Sequence, residues 1–251
     1  MSGYFNTFFF GIYPYIALAV FVVGSIIRFD REPYSWRAQS SQFLRRRQLI
    51  WGSVLFHVGI LFLFFGHFIG LLTPHAIYSY VITAEAKAML AIVAGGIAGV
   101  VCFVGLTMLL HRRLFDSRIR KTSTVMDIGI LAILWVQLTL GLITVPYSLS
   151  HADKSEIMLR VSEWSQRILT FRIDGTADLI QPLEWAYQVH IILGLTIFLL
   201  FPFSRLVHIW SAPIWYLGRR GYQVVRTSNA AHPGGQATRP PPKPRSAQPA
   251  E

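Results

Sequence analysis

The sequence predicts an all-α, polytopic membrane protein with five transmembrane helices, and its composition is the first reason. Of the 251 residues, 53% are hydrophobic and only 14% are charged, whereas soluble domains carry roughly 25% charged residues. The mean hydropathy is +0.46. In water such a chain would need an implausibly large dry core, but membrane lipid solvates apolar side chains directly. The composition therefore excludes most soluble enzymes.

The second reason is the length of the apolar runs. Five stretches reach the roughly 20 residues that a transmembrane helix requires, and they lie near 5–27, 49–72, 88–110, 126–146 and 184–210. No Lys or Arg precedes the first stretch, and its apolar core is too long for a cleavable signal peptide. Pro14 and Pro202 each remove a helix hydrogen bond, which predicts kinks in the first and fifth spans.

The third reason is the distribution of the basic residues. In a soluble protein the formal net charge of +11 would suggest nucleic-acid binding, but here Lys and Arg cluster between the apolar runs. Seventeen lie on one side of the predicted bundle, in 28–48, in 111–125 and after residue 210, and five lie on the other, in 73–87 and 147–183. The positive-inside rule predicts a multi-pass protein with its N-terminus outside and its C-terminus in the cytoplasm. Because this rule accounts for the basic clusters, we expect no nucleic-acid partner. Arg205 is expected to snorkel towards the basic side.

Two other segments have distinct compositions. Residues 155–170 carry apolar side chains at helical spacing, which predicts an amphipathic helix lying on the membrane surface or covering the bundle. From about Thr227 the chain is rich in Pro, Gly and Ala, which predicts a disordered tail. The predicted organisation is therefore a five-helix membrane domain over 1–226 and a cytoplasmic tail over 227–251.

Histidines are the candidate functional residues inside the membrane. The eight are His57, His67, His75, His111, His151, His190, His208 and His232. Two of them fall in the second span and two in the fifth, where ionisable residues are costly and functional by default. Any one of these four could equally well form a hydrogen bond to a neighbouring helix. Because two spans carry two each, we favour metal ligation for His57, His67, His190 and His208, and for none of the other four.

Topology predicts which histidines meet. Spans two and five run antiparallel, so His57 would approach His208, and His67 would approach His190. At about 1.5 Å per residue, His57 and His67 lie about 15 Å apart and cannot share one metal ion. One histidine from each span at two depths could sandwich two planar metal macrocycles, whereas zinc or copper would require three or four clustered ligands.

One distance fits this interpretation poorly, and the interpretation has one consequence for function. A continuous fifth helix would separate His190 and His208 by about 27 Å, which fits poorly with about 15 Å on span two unless the macrocycles tilt or Pro202 kinks the helix. Two histidines per iron would fill both axial positions, which favours electron transfer over oxygen activation.

Glycines recur along span two. Gly52, Gly59, Gly66 and Gly70 would allow the close approach of a flat ring, or equally of another helix.

Several stretches closely match a known family. They are Phe10-Gly-Ile-Tyr-Pro-Tyr-Ile, Trp36-Arg-Ala-Gln-Ser-Ser-Gln, Leu55-Phe-His-Val-Gly-Ile-Leu, Gly66-His-Phe-Ile-Gly-Leu-Leu-Thr-Pro-His and Leu199-Leu-Phe-Pro-Phe-Ser-Arg-Leu-Val-His-Ile-Trp. From about residue 4 to residue 226, the chain resembles the gamma, or cytochrome b, subunit of membrane-bound respiratory nitrate reductase. The tail after about Thr227 departs from the shorter family pattern.

The resemblance implies five transmembrane helices in a bacterial-type cytoplasmic (inner) membrane, and two haem b cofactors. It implies that His57 and His208 ligate the haem nearer the cytoplasm, and that His67 and His190 ligate the haem nearer the outside. It further implies that quinol, either menaquinol or ubiquinol, is oxidised near the outer haem. Electrons would then pass to an iron–sulfur beta subunit and on to a molybdenum-containing alpha subunit that reduces nitrate.

Lys87 matches the family's quinol-site lysine, and we predict that Gly66 and Gly70 bind quinol with it. An ammonium group can donate a hydrogen bond to a quinone oxygen and favour the deprotonated quinol. A lysine at a membrane interface can also simply snorkel. Asp127 is predicted to be a residue of the first helical turn rather than a proton relay.

Two other functions remain compatible with the sequence. One is a related dihaem anchor that serves a different cytoplasmic reductase, and the other is a haem-free transporter or assembly protein whose histidines form hydrogen bonds or bind protons. Nitrate reduction itself is not expected in this chain, because its single cysteine, Cys102, cannot provide an ordinary four-cysteine iron–sulfur cluster.

Overall fold

A computed structural model describes residues 2–32, 44–150 and 154–210, and within these ranges the chain forms helices and no strand. Ten α-helices are described there: α1 (Ser2–Thr7), α2 (Tyr13–Arg31), α3 (Arg46–Leu72), α4 (His75–Tyr78), α5 (Ala84–Phe115), α6 (Ser117–Lys121), α7 (Val125–Ser150), α8 (Lys154–Leu169), α9 (Thr176–Ile180) and α10 (Trp185–Leu200). A π-helical turn, Phe8–Ile12, joins α1 to α2, and two 3-10 turns, Phe201–Phe203 and Arg205–Ile209, follow α10. The prediction of an all-α fold is confirmed.

Five helices are long and apolar enough to cross a membrane. In chain order, spans one to five are Gly3–Arg31, Arg46–Leu72, Ala84–Phe115, Val125–Ser150 and Trp185–Phe203. The predicted number of spans is confirmed. The first four exceed their predicted limits by a few residues, because helical hydrogen bonding continues into the polar flanks that hydropathy excludes. The predicted tail and its boundary lie outside the described residues.

The spans alternate in direction, which gives the bundle two chemically different ends. Span one ends at Arg31 and span two begins at Arg46, and between spans three and four lies the basic helix α6. We call this end the basic end and the other the opposite end. Around the bundle, α3 packs against α5, α5 against α7, α7 against α10, and α10 against α2.

Glycines bring α3 and α5 into close contact. A Cβ atom on Gly105 would lie 2.4 Å from the backbone nitrogen of Phe56, and one on Gly59 would lie 2.6 Å from Cβ of Cys102. Gly52 packs similarly, since its Cβ would lie 3.2 Å from the carbonyl oxygen of Gly105. Only glycine at these positions lets the two backbones approach so closely.

The π-helical turn in span one lies directly before Pro14. Proline has no N–H to donate to the carbonyl oxygen of Phe10, the acceptor that an α-helix would use. The indole Nε1–H of Trp164, on α8, donates to that oxygen instead at 2.8 Å. The wide turn is therefore the local distortion at Pro14, and a side chain from another helix satisfies the carbonyl group it frees.

Helix α8 covers the opposite end of the bundle. Its Ile157, Trp164 and Ile168 are buried, while Ser162 and Gln166 donate to the carbonyl oxygen of Leu71, at the end of span two, at 2.7 and 3.0 Å. Of the two placements predicted for this amphipathic segment, the structure has the one in which it covers the bundle.

The fifth span is shorter than the predicted 184–210, and it is interrupted at Pro202, where a kink was predicted. The α-helix ends at Leu200, and Ser204 has an extended backbone with φ −115° and ψ −180°. Pro202 cannot donate the backbone hydrogen bond that would continue the α-helix. Ser204 instead begins the next turn, since its side chain accepts from the N–H of Leu206 at 3.2 Å. His208 therefore lies on a separate 3-10 turn, and the 27 Å helical separation from His190 does not apply.

The glycine contact between α3 and α5 generates a stability prediction. We expect Gly105→Ala to lower the free energy of unfolding by about 1–3 kcal/mol, because the added methyl group meets the backbone of α3 rather than a movable side chain. The measurement is thermal unfolding in detergent. Gly95→Ala is the matched control in the same helix, since its added Cβ would meet no atom of the described residues within 4 Å apart from its chain neighbours and the nearby backbone of α5. Equal melting temperatures for the two variants would contradict the prediction.

Candidate functional site

The structure brings the four membrane histidines together in two pairs. The ring centroids of His57 and His208 are 6.3 Å apart, with their planes at 74°. Those of His67 and His190 are 6.4 Å apart, with their planes at 36°. The first pair lies towards the basic end and the second towards the opposite end. Each pair joins span two to the fifth span or to the turn that follows it.

All four imidazoles make the same kind of contact through Nδ1. The acceptors are the backbone carbonyl oxygens of Ser53 for His57 (2.7 Å), Leu63 for His67 (2.7 Å), Gln137 for His190 (3.1 Å) and Arg205 for His208 (2.5 Å). A carbonyl oxygen can only accept, so Nδ1 carries the proton in each neutral ring. The lone pair is then on Nε2, the tautomer required of a histidine that ligates a metal through Nε2.

The spacing within each pair fits two axial ligands of one metal ion. When two imidazoles bind an ion from opposite sides through Nε2, each bond is about 2 Å and each nitrogen lies roughly 1 Å from its ring centre, so the centres lie about 6 Å apart. Among the described residues, no group of three or more His, Cys, Asp or Glu side chains could hold a metal ion. The chemistry of the donor set therefore suits a planar metal macrocycle better than a bare ion.

The imidazole ring of His190 packs against residues of α7. A Cβ on Gly141 would lie 3.0 Å from Cε1 of His190, so glycine leaves room for the imidazole ring. The amide nitrogen of Gln137 donates to the carbonyl oxygen of His190 at 3.1 Å and lies 3.4 Å from its Nε2. Sequence reasoning missed Gln137, although a glutamine inside an apolar span is itself a signal of a polar contact.

The four glycines of span two divide into two sets. Gly52 and Gly59 pack against α5, as described above. Around Gly66 and Gly70, apart from their chain neighbours and the nearby backbone of α3, no atom of the described residues lies within 4 Å of the position that a Cβ would take. Helix packing therefore accounts for the first two glycines but not for the second two, which border open space near His67.

Lys87 lies in the first turn of α5, at the opposite end of the bundle. Its Nζ lies 3.6 Å from the ring centroid of Tyr78, a cation–π contact. Neither Lys87 Nζ nor Tyr78 Oη has a hydrogen-bond partner among the described residues, although both atoms are buried. Burial raises the pKa of Tyr78, so its phenol stays protonated and remains a hydrogen-bond donor. Tyr78 was not predicted, because its relation to Lys87 depends on the turn around α4.

The other candidates have ordinary surroundings or new partners. His75 and His111 are exposed, and their rings contact Tyr78 and Phe115 at centroid distances of 5.1 and 4.7 Å. His151 and His232 lie outside the described residues.

Asp127 is in the first turn of α7, as predicted, and forms an ion pair with Arg205. The buried carboxylate of Asp127 thus holds the guanidinium of Arg205 at the basic end. The possible snorkelling of Arg205 towards that side stays a prediction.

Comparison with known proteins agrees with the fold. Residues 6–228 match the model of the family described as nitrate reductase gamma subunit. The chain belongs to this family. It is 49% identical over 227 residues to the respiratory nitrate reductase 2 gamma chain of Escherichia coli (strain K12), covering 90% of this chain and 99% of that one.

Two further relatives match along nearly their whole length. The respiratory nitrate reductase 1 gamma chain of the same organism is 50% identical over 221 residues, which is 88% of this chain and 97% of that one. The nitrate reductase gamma chain of Bacillus subtilis (strain 168) is 39% identical over 219 residues, or 86% and 96%. The chain is thus a membrane subunit of a nitrate reductase complex, which is an oxidoreductase. The roles of the individual histidines and of Lys87 stay predictions.

Proposed function

We propose that this chain anchors a nitrate reductase in the cytoplasmic membrane and conducts electrons through two bis-histidine haem b groups. The observation that carries the proposal is the shared arrangement of the four histidines. In each, Nδ1–H donates a hydrogen bond to a backbone carbonyl oxygen. The ring centroids are 6.3 Å apart in one pair and 6.4 Å apart in the other. Hydrogen bonding to a neighbouring helix would explain one such histidine, but not two pairs with a common tautomer and a common spacing.

In this proposal His57 and His208 hold the haem near the basic end, and His67 and His190 hold the other. Each haem, when bound, would supply a one-electron carrier held between two histidines. The carbonyl contacts fix the orientation of the imidazoles and keep Nε2 available as the ligand. Gly141 leaves the space that the ring of His190 requires.

Quinol, menaquinol or ubiquinol, would be oxidised at the opposite end. Oxidation of one quinol to the quinone releases two protons and two electrons. The Lys87 ammonium donates a hydrogen bond to a quinol oxygen and favours the deprotonated form that gives up electrons. The phenol of Tyr78 is a second buried donor beside it. Gly66 and Gly70 border the open space that the flat ring would occupy.

Orientation completes the proposal. Because the basic residues lie at one end, that end would face the cytoplasm, with the N-terminus outside. Protons from quinol would then leave on the outer side, while electrons reach the cytoplasmic iron–sulfur beta subunit and the molybdenum-containing alpha subunit. Each charge moved across the membrane works against about 2.3 kcal/mol per 100 mV of potential.

Ligand variants test the haem proposal. Membranes that contain the complete complex should show two low-spin b components in reduced-minus-oxidised spectra. We expect His57→Ala and His208→Ala to lose the same component, and His67→Ala and His190→Ala to lose the other, so that each variant retains about half of the haem. The loss follows because one imidazole alone leaves an axial position empty.

His75→Ala and His111→Ala are the matched controls, since both histidines are exposed and unpaired with the four. They should keep both components. A wild-type complex without tetrapyrrole would refute the proposal and favour a haem-free transporter. If His57→Ala and His190→Ala lost the same component, the pairing would be refuted.

Lys87 and Tyr78 test the quinol site. We expect Lys87→Ala to lower the rate of haem reduction by quinol by about 10²-fold or more, because the donor that favours deprotonation is lost. Tyr78→Phe keeps the ring under the ammonium but removes the hydroxyl, and should lower the rate less, by about tenfold. Both variants should keep their full haem content and accept electrons from dithionite.

Lys121→Ala is the control, because this exposed lysine lies on α6 at the basic end. Its quinol-dependent rate should match that of the wild type. If Lys87→Ala also matches the wild type, Lys87 has no part in quinol oxidation and the interfacial interpretation of this lysine is correct.

A further inference from the structure

The turn that carries His208 differs from the settings of the other three membrane histidines. His57 and His67 donate to carbonyl oxygens of their own helix, and His190 donates to a carbonyl oxygen of the neighbouring α7. His208 donates to the carbonyl oxygen of Arg205 within a short 3-10 turn, Arg205–Ile209, beyond the end of α10. A single 3-10 turn has poorer hydrogen-bond geometry than an α-helix and cannot hold a side chain rigidly alone.

Arg28 of span one forms hydrogen bonds to the backbone carbonyl groups just before this turn. Nη1 of Arg28 donates to the carbonyl oxygens of Pro202 and Ser204 at 2.6 and 2.9 Å. These two carbonyls flank the point at which the fifth span changes direction. Span one also approaches this point closely, since a Cβ on Gly24 would lie 2.8 Å from Cγ of Pro202. One guanidinium group thus connects span one to both sides of the break.

The first residue of the turn is held from a third helix. Both carboxylate oxygens of Asp127, on α7, contact the guanidinium of Arg205. Asp127 is only 4% exposed. The same carboxylate accepts from the N–H of Thr124 at 2.9 Å and lies 3.6 Å from Nη1 of Arg113. A two-pronged arginine–carboxylate contact of this kind fixes direction as well as distance.

These contacts converge on one imidazole. Arg205 is the residue that Asp127 binds through the side chain, and its carbonyl oxygen is the acceptor for Nδ1 of His208. Arg28 fixes the carbonyl of Ser204, the residue directly before Arg205. A shift at either contact would rotate the turn and with it the imidazole ring.

We propose that Arg28 and Asp127 are positioning residues for His208, which together clamp its turn and set the orientation of its imidazole towards His57. The inference rests on the proposed function, in which His208 is an axial ligand of the haem near the basic end. The clamp then sets the electronic properties of that haem alone, since outer contacts of a ligating histidine tune the metal that it binds. The His67–His190 pair has no contact with the clamp among the contacts described above.

The test compares two carboxylates at the basic end. Asp127→Asn removes the charge that holds Arg205, whereas Asp116→Asn is the matched control, because Asp116 pairs with the half-exposed Arg45 instead. Membranes with the complete complex are titrated potentiometrically, and low-spin electron paramagnetic resonance signals, which depend on the orientation of the axial imidazoles, are recorded for each component. The component that His57→Ala removes identifies the haem in question.

For Asp127→Asn, the expected result is a change in that component only. At the potential where the wild-type component is half reduced, the ratio of oxidised to reduced form in the variant should differ from the wild-type ratio by about threefold or more. The resonance signal of this component should also shift. Arg28→Gln should change the same component, and Asp127→Glu, which can still bind Arg205, should restore it largely. Asp116→Asn should leave both components as in the wild type.

Three outcomes overturn the inference. One is an unchanged potential and signal in both Asp127→Asn and Arg28→Gln, and another is an equal change in both components, which a general loss of stability would cause. The third outcome applies if Asp127→Asn accumulates poorly. The double variant Asp127→Asn/Arg205→Gln, which removes both charges of the pair, is then used instead, and an unchanged potential and signal of the His57-dependent component in that variant overturns the inference. Should His57→Ala remove no component, the proposed function itself fails, which is a separate result.

Discussion

Hydrogen bonding of the backbone inside the bilayer is the constraint on which this structure depends. Lipid tails offer neither donors nor acceptors, so every N–H and C=O group within a span must find its partner in the protein. Five long helices satisfy this requirement along most of their length. Three prolines, Pro14, Pro146 and Pro202, interrupt it. At the first and the last, a side chain from a distant part of the chain contacts backbone carbonyl groups: Trp164 at Phe10, and Arg28 at Pro202 and Ser204.

Span two combines two surfaces with different tasks. Along one surface Gly52 and Gly59 let it pack tightly on α5, which fixes its position. The other surface presents His57 and His67 to the fifth span and its following turn, with Gly66 and Gly70 beside open space. Close packing on one side therefore makes the helix a rigid support for the groups on the other, as the proposed haem sites would require.

Much of this arrangement could be predicted from particular residues. The lengths of the apolar runs predicted five spans, and the periodicity of residues 155–170 predicted α8. The length of the fifth span was predicted less well, although a kink at Pro202 was expected, because the apolar run continues past the residue at which the helix ends. Tyr78, Gln137 and the pairing of Asp127 with Arg205 were missed, since each depends on contacts between segments far apart in the chain.

By itself the sequence determined that the chain crosses a membrane, how its basic residues divide between two ends, that two spans carry two histidines each, and to which family the chain belongs. Those properties follow from local composition and spacing, because the length of an apolar run and the charges beside it decide whether a segment crosses the membrane and in which direction. Only the tertiary structure decided where the fifth helix stops, which glycines pack against a neighbour, and which charged groups hold the turn of His208. These depend on how the freed carbonyls and buried charges of one helix find partners on another, and that is a property of packing in three dimensions rather than of any single segment.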